Sequence, residues 1–113
     1  MTQDKRMEAA NRLEEALLNS GKSVYVLRLY VSGQTARSVH AIENIKHLCE
    51  EFLKDRHEIE VIDVYAQPER LKEAQIIGVP TLIKELPLPV RRFIGDLSNQ
   101  ENLIVGLDLR NIS

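Results

Sequence analysis

The run from Val24 to Val31, Val-Tyr-Val-Leu-Arg-Leu-Tyr-Val, constrains this chain more than any other stretch. Its β-branched and aromatic residues favour a strand, and apolar side chains at successive positions leave no face for water. Such a strand is buried on both faces or nearly so. A single charge, Arg28, interrupts it. Ser32-Gly33-Gln34-Thr35 follows as a turn, with Thr35 placed to cap the next helix. In that helix Val39, Ile42, Ile45, Leu48, Cys49, Phe52 and Leu53 share one side of the helical projection, the pattern of a helix packed on a sheet. Asp55-Arg56-His57 closes it, and Ile59 to Val64 supplies a second apolar run. Strand, helix and strand at this spacing make a βαβ unit, with parallel strands and a right-handed crossover.

Beyond it, Pro68 suits the first position of a short helix reaching about Gln75, and Ile76-Ile77-Gly78-Val79-Pro80 closes that helix. Thr81 to Lys84 reads as a third strand and Val90 to Ile94 as a fourth. Between them Leu86-Pro87-Leu88-Pro89 forms a turn, since two prolines forbid regular pairing. Gly95-Asp96-Leu97 is another turn. Ser98-Asn99-Gln100-Glu101 matches a capping box, opening a helix that carries Leu103, Ile104, Leu107 and Leu109. The order β-α-β-α-β-β-α is that of a thioredoxin-like α/β fold, and Val79-Pro80 stands where such folds place a cis proline. Upstream, residues 2 to 18 read as a separate helix, with Thr2 as cap, Met7, Ala10, Leu13, Leu17 and Leu18 as an apolar stripe and Gly21 as a stop. The expected organisation is an N-terminal helical extension over 1–21 and one domain over 22–113.

Composition narrows the function. A chain of 113 residues holds one domain and can bury a core without metal or disulfides. Its lone cysteine, Cys49, cannot pair internally, and the polar start Met1 to Arg6 lacks the apolar stretch of a signal peptide, so a cytoplasmic location is expected. No apolar run is long enough for a membrane span. A net charge of −2 and only five aromatic residues speak against nucleic acid as a partner. The position where thioredoxins carry Cys-x-x-Cys holds Ser32-Gly33-Gln34-Thr35, and Cys49 falls near the apolar side of its helix, where a neutral thiol is expected. A stress or redox protein using Cys49 alone is the alternative reading. His40, Glu43 and His47 share a helix face, but the two histidines stand about 10 Å apart along the axis, too far for one metal. That face reads as solvated. No phosphate loop, catalytic triad or cofactor motif is visible, so no catalytic, metal or cofactor residue is assigned. Lys84, Arg91 and Arg92 gather around the proline turn as a small basic patch, read as a solvated strand edge with an acidic partner surface as the alternative.

The segments Tyr25-Val-Leu-Arg-Leu-Tyr-Val-Ser-Gly-Gln-Thr35, Val61-Ile-Asp-Val64, Val79-Pro-Thr-Leu82, Leu86-Pro-Leu-Pro-Val-Arg-Arg-Phe-Ile-Gly-Asp-Leu97 and Gly106-Leu-Asp-Leu109 resemble the KaiB family of the cyanobacterial circadian clock. The resemblance runs from Val24 to Leu109. It implies binding without catalysis: docking on the ring of a KaiC-like ATPase, capture of KaiA and signalling through a histidine kinase in full clocks, and stress adaptation in bacteria lacking one. Partner contacts are expected at Glu69, Lys72 and Gln75, with Arg91 and Arg92 as further candidates. The resemblance also implies two folds, a homotetrameric resting form ordered β-α-β-β-α-α-β and a thioredoxin-like monomer, with a dimer or tetramer as the oligomer.

Tyr25, Pro80, Pro87, Leu88, Pro89, Gly106 and Asp108 are the residues expected to set that balance. Gly106 inside the last helix costs about 1 kcal/mol relative to alanine. Asp108 near its C-terminus opposes the macrodipole by about 0.3 to 1 kcal/mol. Val105 to Leu109 also alternates acceptably as a strand, and proline isomerisation would make any switch slow. The chain departs from the family pattern at Ala36, Leu88 and Gly78-Val79, where proline, proline and Ala-Thr are usual. After Leu109 it has Arg110-Asn111-Ile112-Ser113 in place of the family's acidic tail, a difference that bears on KaiC binding.

Overall fold

The structure, a computed structural model, describes residues 24–109. The helix expected over residues 2 to 18 and the domain boundary after residue 21 lie outside the described residues. The described elements follow the expected order: β1 (Tyr25–Val31), α1 (Ala36–Phe52), β2 (His57–Asp63), α2 (Pro68–Glu73), β3 (Thr81–Leu86), β4 (Arg91–Ile94) and α3 (Gln100–Gly106). This is the thioredoxin-like arrangement, not the β-α-β-β-α-α-β alternative. The strands form one sheet in the order β2-β1-β3-β4, with β1 and β2 parallel and β3 antiparallel to both β1 and β4. No helix among the described residues is long and apolar enough to cross a membrane.

All seven residues of β1 are buried, as a strand with no water-facing side must be. On one face Tyr25, Leu27, Leu29 and Val31 pack with Leu82 of β3, with Ala41, Ile45, Leu48 and Cys49 of α1, and with Leu103 of α3. On the other, Tyr30, Ile62, Val64, Ile76 and Ile83 form a smaller cluster against Leu71 and Ala74 at α2. Arg28 stays buried on this second face by pairing: its Nε lies 3.2 Å from Glu60 Oε1, and its Nη1 sits against the Glu85 carboxylate without hydrogen-bond alignment. A bulge makes the second contact possible. Leu27 pairs with Lys84 and Val26 with Leu86, so Glu85 is the extra residue.

Local chemistry sets the element ends, and here the structure corrects several expectations. Thr35 caps α1 as expected, its Oγ1 accepting from the Ser38 amide at 3.3 Å. Ser38, however, takes the buried position and Val39 faces outward. The Ser38 hydroxyl accepts from the Ser32 amide and from Thr35 Oγ1, so it enters the interior already bonded. β2 begins at His57, two residues before its apolar run. α2 stops at Glu73 rather than Gln75, because Gln75 adopts φ 55 and the Ile76 amide closes back onto Leu71 O, a left-handed helix stop made without glycine. β3 continues two residues past Lys84 to Leu86. At α3 the cap is Asn99, accepting from the Asn102 amide, not Ser98. The Ser98 amide is already held by Asp96 Oδ1 at 3.0 Å. α3 ends at Gly106, so Leu107 and Leu109 are buried beyond the helix.

Candidate functional site

Three places in this fold concentrate chemistry or exposed apolar surface. The first is the region where a thioredoxin would hold its thiols. Ser32, Gly33, Gln34 and Thr35 form the turn between β1 and α1; Gly33 takes φ 60 and its amide donates to Asp63 Oδ1 at 3.2 Å. Cys49 lies in the C-terminal half of α1, 1% exposed within the larger core cluster. Burial pushes its thiol up to about 12, with Glu50 adding to the effect. Such a thiol is almost wholly protonated at neutral pH, and the thiolate is the species that attacks a disulfide or peroxide. His40, Glu43 and His47 are exposed, His47 lying 3.6 Å from Glu51, and no group of metal-ligating side chains occurs among the described residues.

The second place is α2 and the loop leaving it. Pro68 opens the helix, and Glu69, Lys72 and Gln75 are all exposed on it or just after it. Arg92 joins them. It shares a sheet face with Ile83, and its guanidinium donates to Ala74 O at 2.7 Å and Gln75 O at 3.2 Å, the carbonyls that end α2. From the N-terminal side, Arg70 holds the helix to the sheet through Glu60 at 3.2 Å, and Glu60 in turn holds Arg28. Beside α2 opens a cleft of about 230 Å³ lined by Val64, Leu71, Ile76 and Val79 and flanked by Tyr65 and Ile77. Tyr65 is 75% exposed and Ile77 91%. Sequence reasoning missed these two. The signal was Ile76-Ile77 itself, since adjacent apolar residues leaving a one-face helix cannot both turn inward.

The third place lies at the opposite end of β3. A cleft of about 230 Å³ there gathers Tyr25, Pro87, Leu88, Pro89, Gly106 and Asp108, with Lys84 and Arg91 in its wall. Pro80 alone of the expected fold-balance residues lies elsewhere, at the start of β3, where its carbonyl accepts from the Gly95 amide at 2.9 Å. The Val79-Pro80 peptide is cis, as the fold order suggested, and so are Leu86-Pro87 and Leu88-Pro89. The basic patch expected around this turn is divided by the sheet: Lys84 and Arg91 pair in register on one face while Arg92 leaves by the other. Lys84 is no solvated edge residue but 3% exposed. Its desolvation lowers the ammonium pKa, Arg91 lowers it further, and Asp108 acts the opposite way.

Gly106 and Asp108 also differ from expectation. Gly106 is the last residue of α3, where a Cβ would run into Cε1 and Cζ of the Phe93 ring. Its glycine accommodates Phe93 rather than merely weakening a helix. Asp108 lies two residues past α3 at φ 60, with its amide donating to Val105 O at 3.1 Å. It occupies the left-handed stop position, and its charge raises the pKa of Tyr25, which burial has already pushed up. The Tyr25 hydroxyl donates to Leu107 O at 2.7 Å and so ties β1 to this stop.

The KaiB domain model matches residues 28–109, which include every element from α1 to α3 and most of β1. The chain belongs to the KaiB family. It is 51% identical over 84 residues to the circadian clock protein KaiB3 of Synechocystis, covering 74% of this chain and 82% of that relative. To the circadian clock oscillator protein KaiB of Synechococcus elongatus it is 46% identical over 90 residues, covering 80% and 88%. Among solved structures, the N-terminal domain of Synechococcus elongatus SasA superposes with a TM-score of 0.62 at 23% identity, over 76% of this chain and 85% of that one. Mitochondrial thioredoxin 3 of Saccharomyces cerevisiae superposes at 0.63 and 14% identity, over 90% and 87%. At those identities the likeness shows the thioredoxin-like fold. Within the family, then, this chain presents an exposed polar face at α2 and a basic cleft at the proline turn, with its one thiol shut inside.

Proposed function

We propose that this KaiB-family chain is a non-catalytic, cytoplasmic regulatory protein that docks on a KaiC-like ATPase through α2 and the loop after it, in circadian timing or stress adaptation. Glu69, Lys72 and Gln75 supply exposed polar contacts, and Tyr65 and Ile77 supply the apolar anchors. Arg92 contributes by holding the end of α2, while Arg91, on the other sheet face, stands apart. The observation that carries the reading is the 46% to 51% identity with clock proteins across most of the chain. The geometry adds an uncovered apolar pair beside polar residues, the composition of a surface that meets a partner. A histidine kinase is a second partner of the same kind, and a dimer or tetramer in the family's resting arrangement is the proposed storage form. Six of the seven fold-balance residues meeting at one cleft supports treating them as a unit. A single-cysteine redox activity gains no support from Cys49, whose buried thiol stays protonated.

Size-exclusion chromatography of the full chain with the KaiC-like ATPase of its own organism, in ATP and in ADP, tests the reading. Co-elution is expected in at least one nucleotide state. Ile77→Asp should weaken it roughly ten- to hundredfold, as loss of a central apolar anchor does. No complex in any nucleotide state overturns the proposal.

A further inference from the structure

The cleft at the proline turn brings two cations, Lys84 and Arg91, to one wall. Lys84 is 3% exposed, yet among the described residues its ammonium makes no hydrogen bond or ion pair. Its stem is packed away from water while the residue lines the cleft, and a partly desolvated ammonium favours an anionic neighbour. Directly across the β3–β4 ladder stands Arg91, a second cation, exposed at the same cleft. Two like charges facing each other on one sheet face destabilise the pair unless an anion lies between them. Asp108 is the carboxylate whose charge favours Lys84, which leaves two cations to one carboxylate in the described wall of the cleft. The Tyr25 hydroxyl has already given its proton to Leu107 O, so the donors available to a ligand are the ammonium and the guanidinium. Their geometry, a point charge beside a planar fork, suits an oxyanion of the phosphate type. At about 230 Å³ the cleft falls below the size of pockets that enclose drug-sized ligands, about 300 Å³ upward.

We propose that the cleft between the Pro87-Leu88-Pro89 turn and the end of α3 is a binding site for a small phosphoryl anion, bridged by Lys84 and Arg91. Exposed Leu88 and Val105, both lining the cleft, leave room for a short carbon chain, so the ligand is free phosphate or a small phosphate ester. Binding places an anion between Lys84 and Arg91, where Asp108 is the one carboxylate among the described residues lining the cleft. By mass action it also stabilises the arrangement of β3, β4 and α3 in which the cleft exists.

The test is a two-dimensional amide NMR titration of the full chain with inorganic phosphate, and separately with glycerol 3-phosphate, at ionic strength held constant with chloride. Saturable shifts are expected at Lys84, Leu88, Arg91 and Gly106, reached in the millimolar range, with the cross-peaks of α2 unmoved. Tighter binding of the ester identifies an ester as the ligand class, and equal binding identifies free phosphate. Lys84→Met, an apolar replacement of similar length at a buried position, should weaken binding roughly ten- to hundredfold. Arg91→Gln changes an exposed side chain and should act in the same direction, which keeps the test decisive if the Lys84 variant fails to fold. Absence of saturable shifts with either anion overturns the proposal, as does binding that survives in Arg91→Gln and in a folded Lys84→Met.

Discussion

Against one face of the sheet, α1 and α3 lay Ala41, Ile45, Leu48 and Leu103, none more than 1% exposed; against the other, α2 brings no buried residue at all. The second face has only the smaller apolar cluster, and polar ties complete its closure: Arg70 to Glu60, Glu60 to Arg28, and Arg92 to the carbonyls ending α2. Apolar packing is non-directional and adds up to a rigid unit, whereas a few hydrogen bonds and half-exposed ion pairs contribute little each and break one at a time. The fold thus separates what holds it together from the surface proposed to meet a partner. α2 sits on the side that local opening reaches first.

Removing one leucine from each face measures that separation. Leu48→Ala, at 0% exposure, should lower unfolding stability by about 2 to 5 kcal/mol. Leu71→Ala, half-buried at the smaller cluster, should lower it by about 1 to 2 kcal/mol. Urea denaturation followed by circular dichroism checks both. Equal losses would mean that α2 is as firmly packed as α1, and the division between the faces would fail.

How much of this was legible in the sequence follows the same line. The face sealed by apolar packing announces itself, because burial imprints a period on the chain: β1, α1, β2 and the order of elements followed from it, and Cys49 fell where its helix placed it. The misreadings gather where polar bonding decides. Ser38 rather than Val39 went inside because its hydroxyl was bonded by Ser32 and Thr35. Asn99 became the cap because Asp96 had claimed Ser98. Lys84 reads as an edge charge in the sequence because the residues around it, Tyr25, the proline turn and the end of α3, come from distant parts of the chain. Of the candidate site, Glu69 and Lys72 on α2 were legible as exposed charges and Gln75 as an exposed polar residue just after it. That Arg92 joins them and Arg91 does not depends on pleat register across a turn whose length the prolines obscured.

Alkaline pH probes the sealed face without altering packing. Burial raises Cys49 from 9.0 to about 12, so the unfolded chain releases its thiol proton first. Above pH 9.0 the unfolded state therefore binds fewer protons than the folded one, and stability falls as pH rises. Between 9.0 and 10.0, before Tyr25 with its own raised value contributes, the loss from Cys49 should reach up to about 1.4 kcal/mol. Lys84 runs the other way: its folded value is lowered, so stability rises with pH as the unfolded chain, with a value of 10.5, holds the extra proton. Urea midpoints of the chain and of Cys49→Ala across this window isolate the thiol, since Lys84 is common to both. The variant should lose the downward component of the slope. Parallel slopes would show that water reaches the Cys49 thiol, and the face would not be sealed.

The smallest effect belongs to the weakest tie. Arg92 is exposed, and its guanidinium donates to Ala74 O and Gln75 O where α2 ends, a place where a cation also meets the negative end of the helix. Arg92→Gln should cost about 0.5 to 1.5 kcal/mol, and the cost should appear locally. Hydrogen exchange at Ala74, Gln75 and Ile76 should accelerate severalfold, while exchange at Leu48 and Leu103 and the global urea midpoint stay nearly unchanged. Arg92→Lys keeps the charge without the fork that reaches both carbonyls, so it should recover the smaller, electrostatic share of the protection. If Arg92→Gln instead lowers the global midpoint together with exchange across α1, then α2 opens only when the whole molecule does. The two faces would then form one cooperative unit, and the exposed surface at α2 could not rearrange on meeting a partner without unfolding its support.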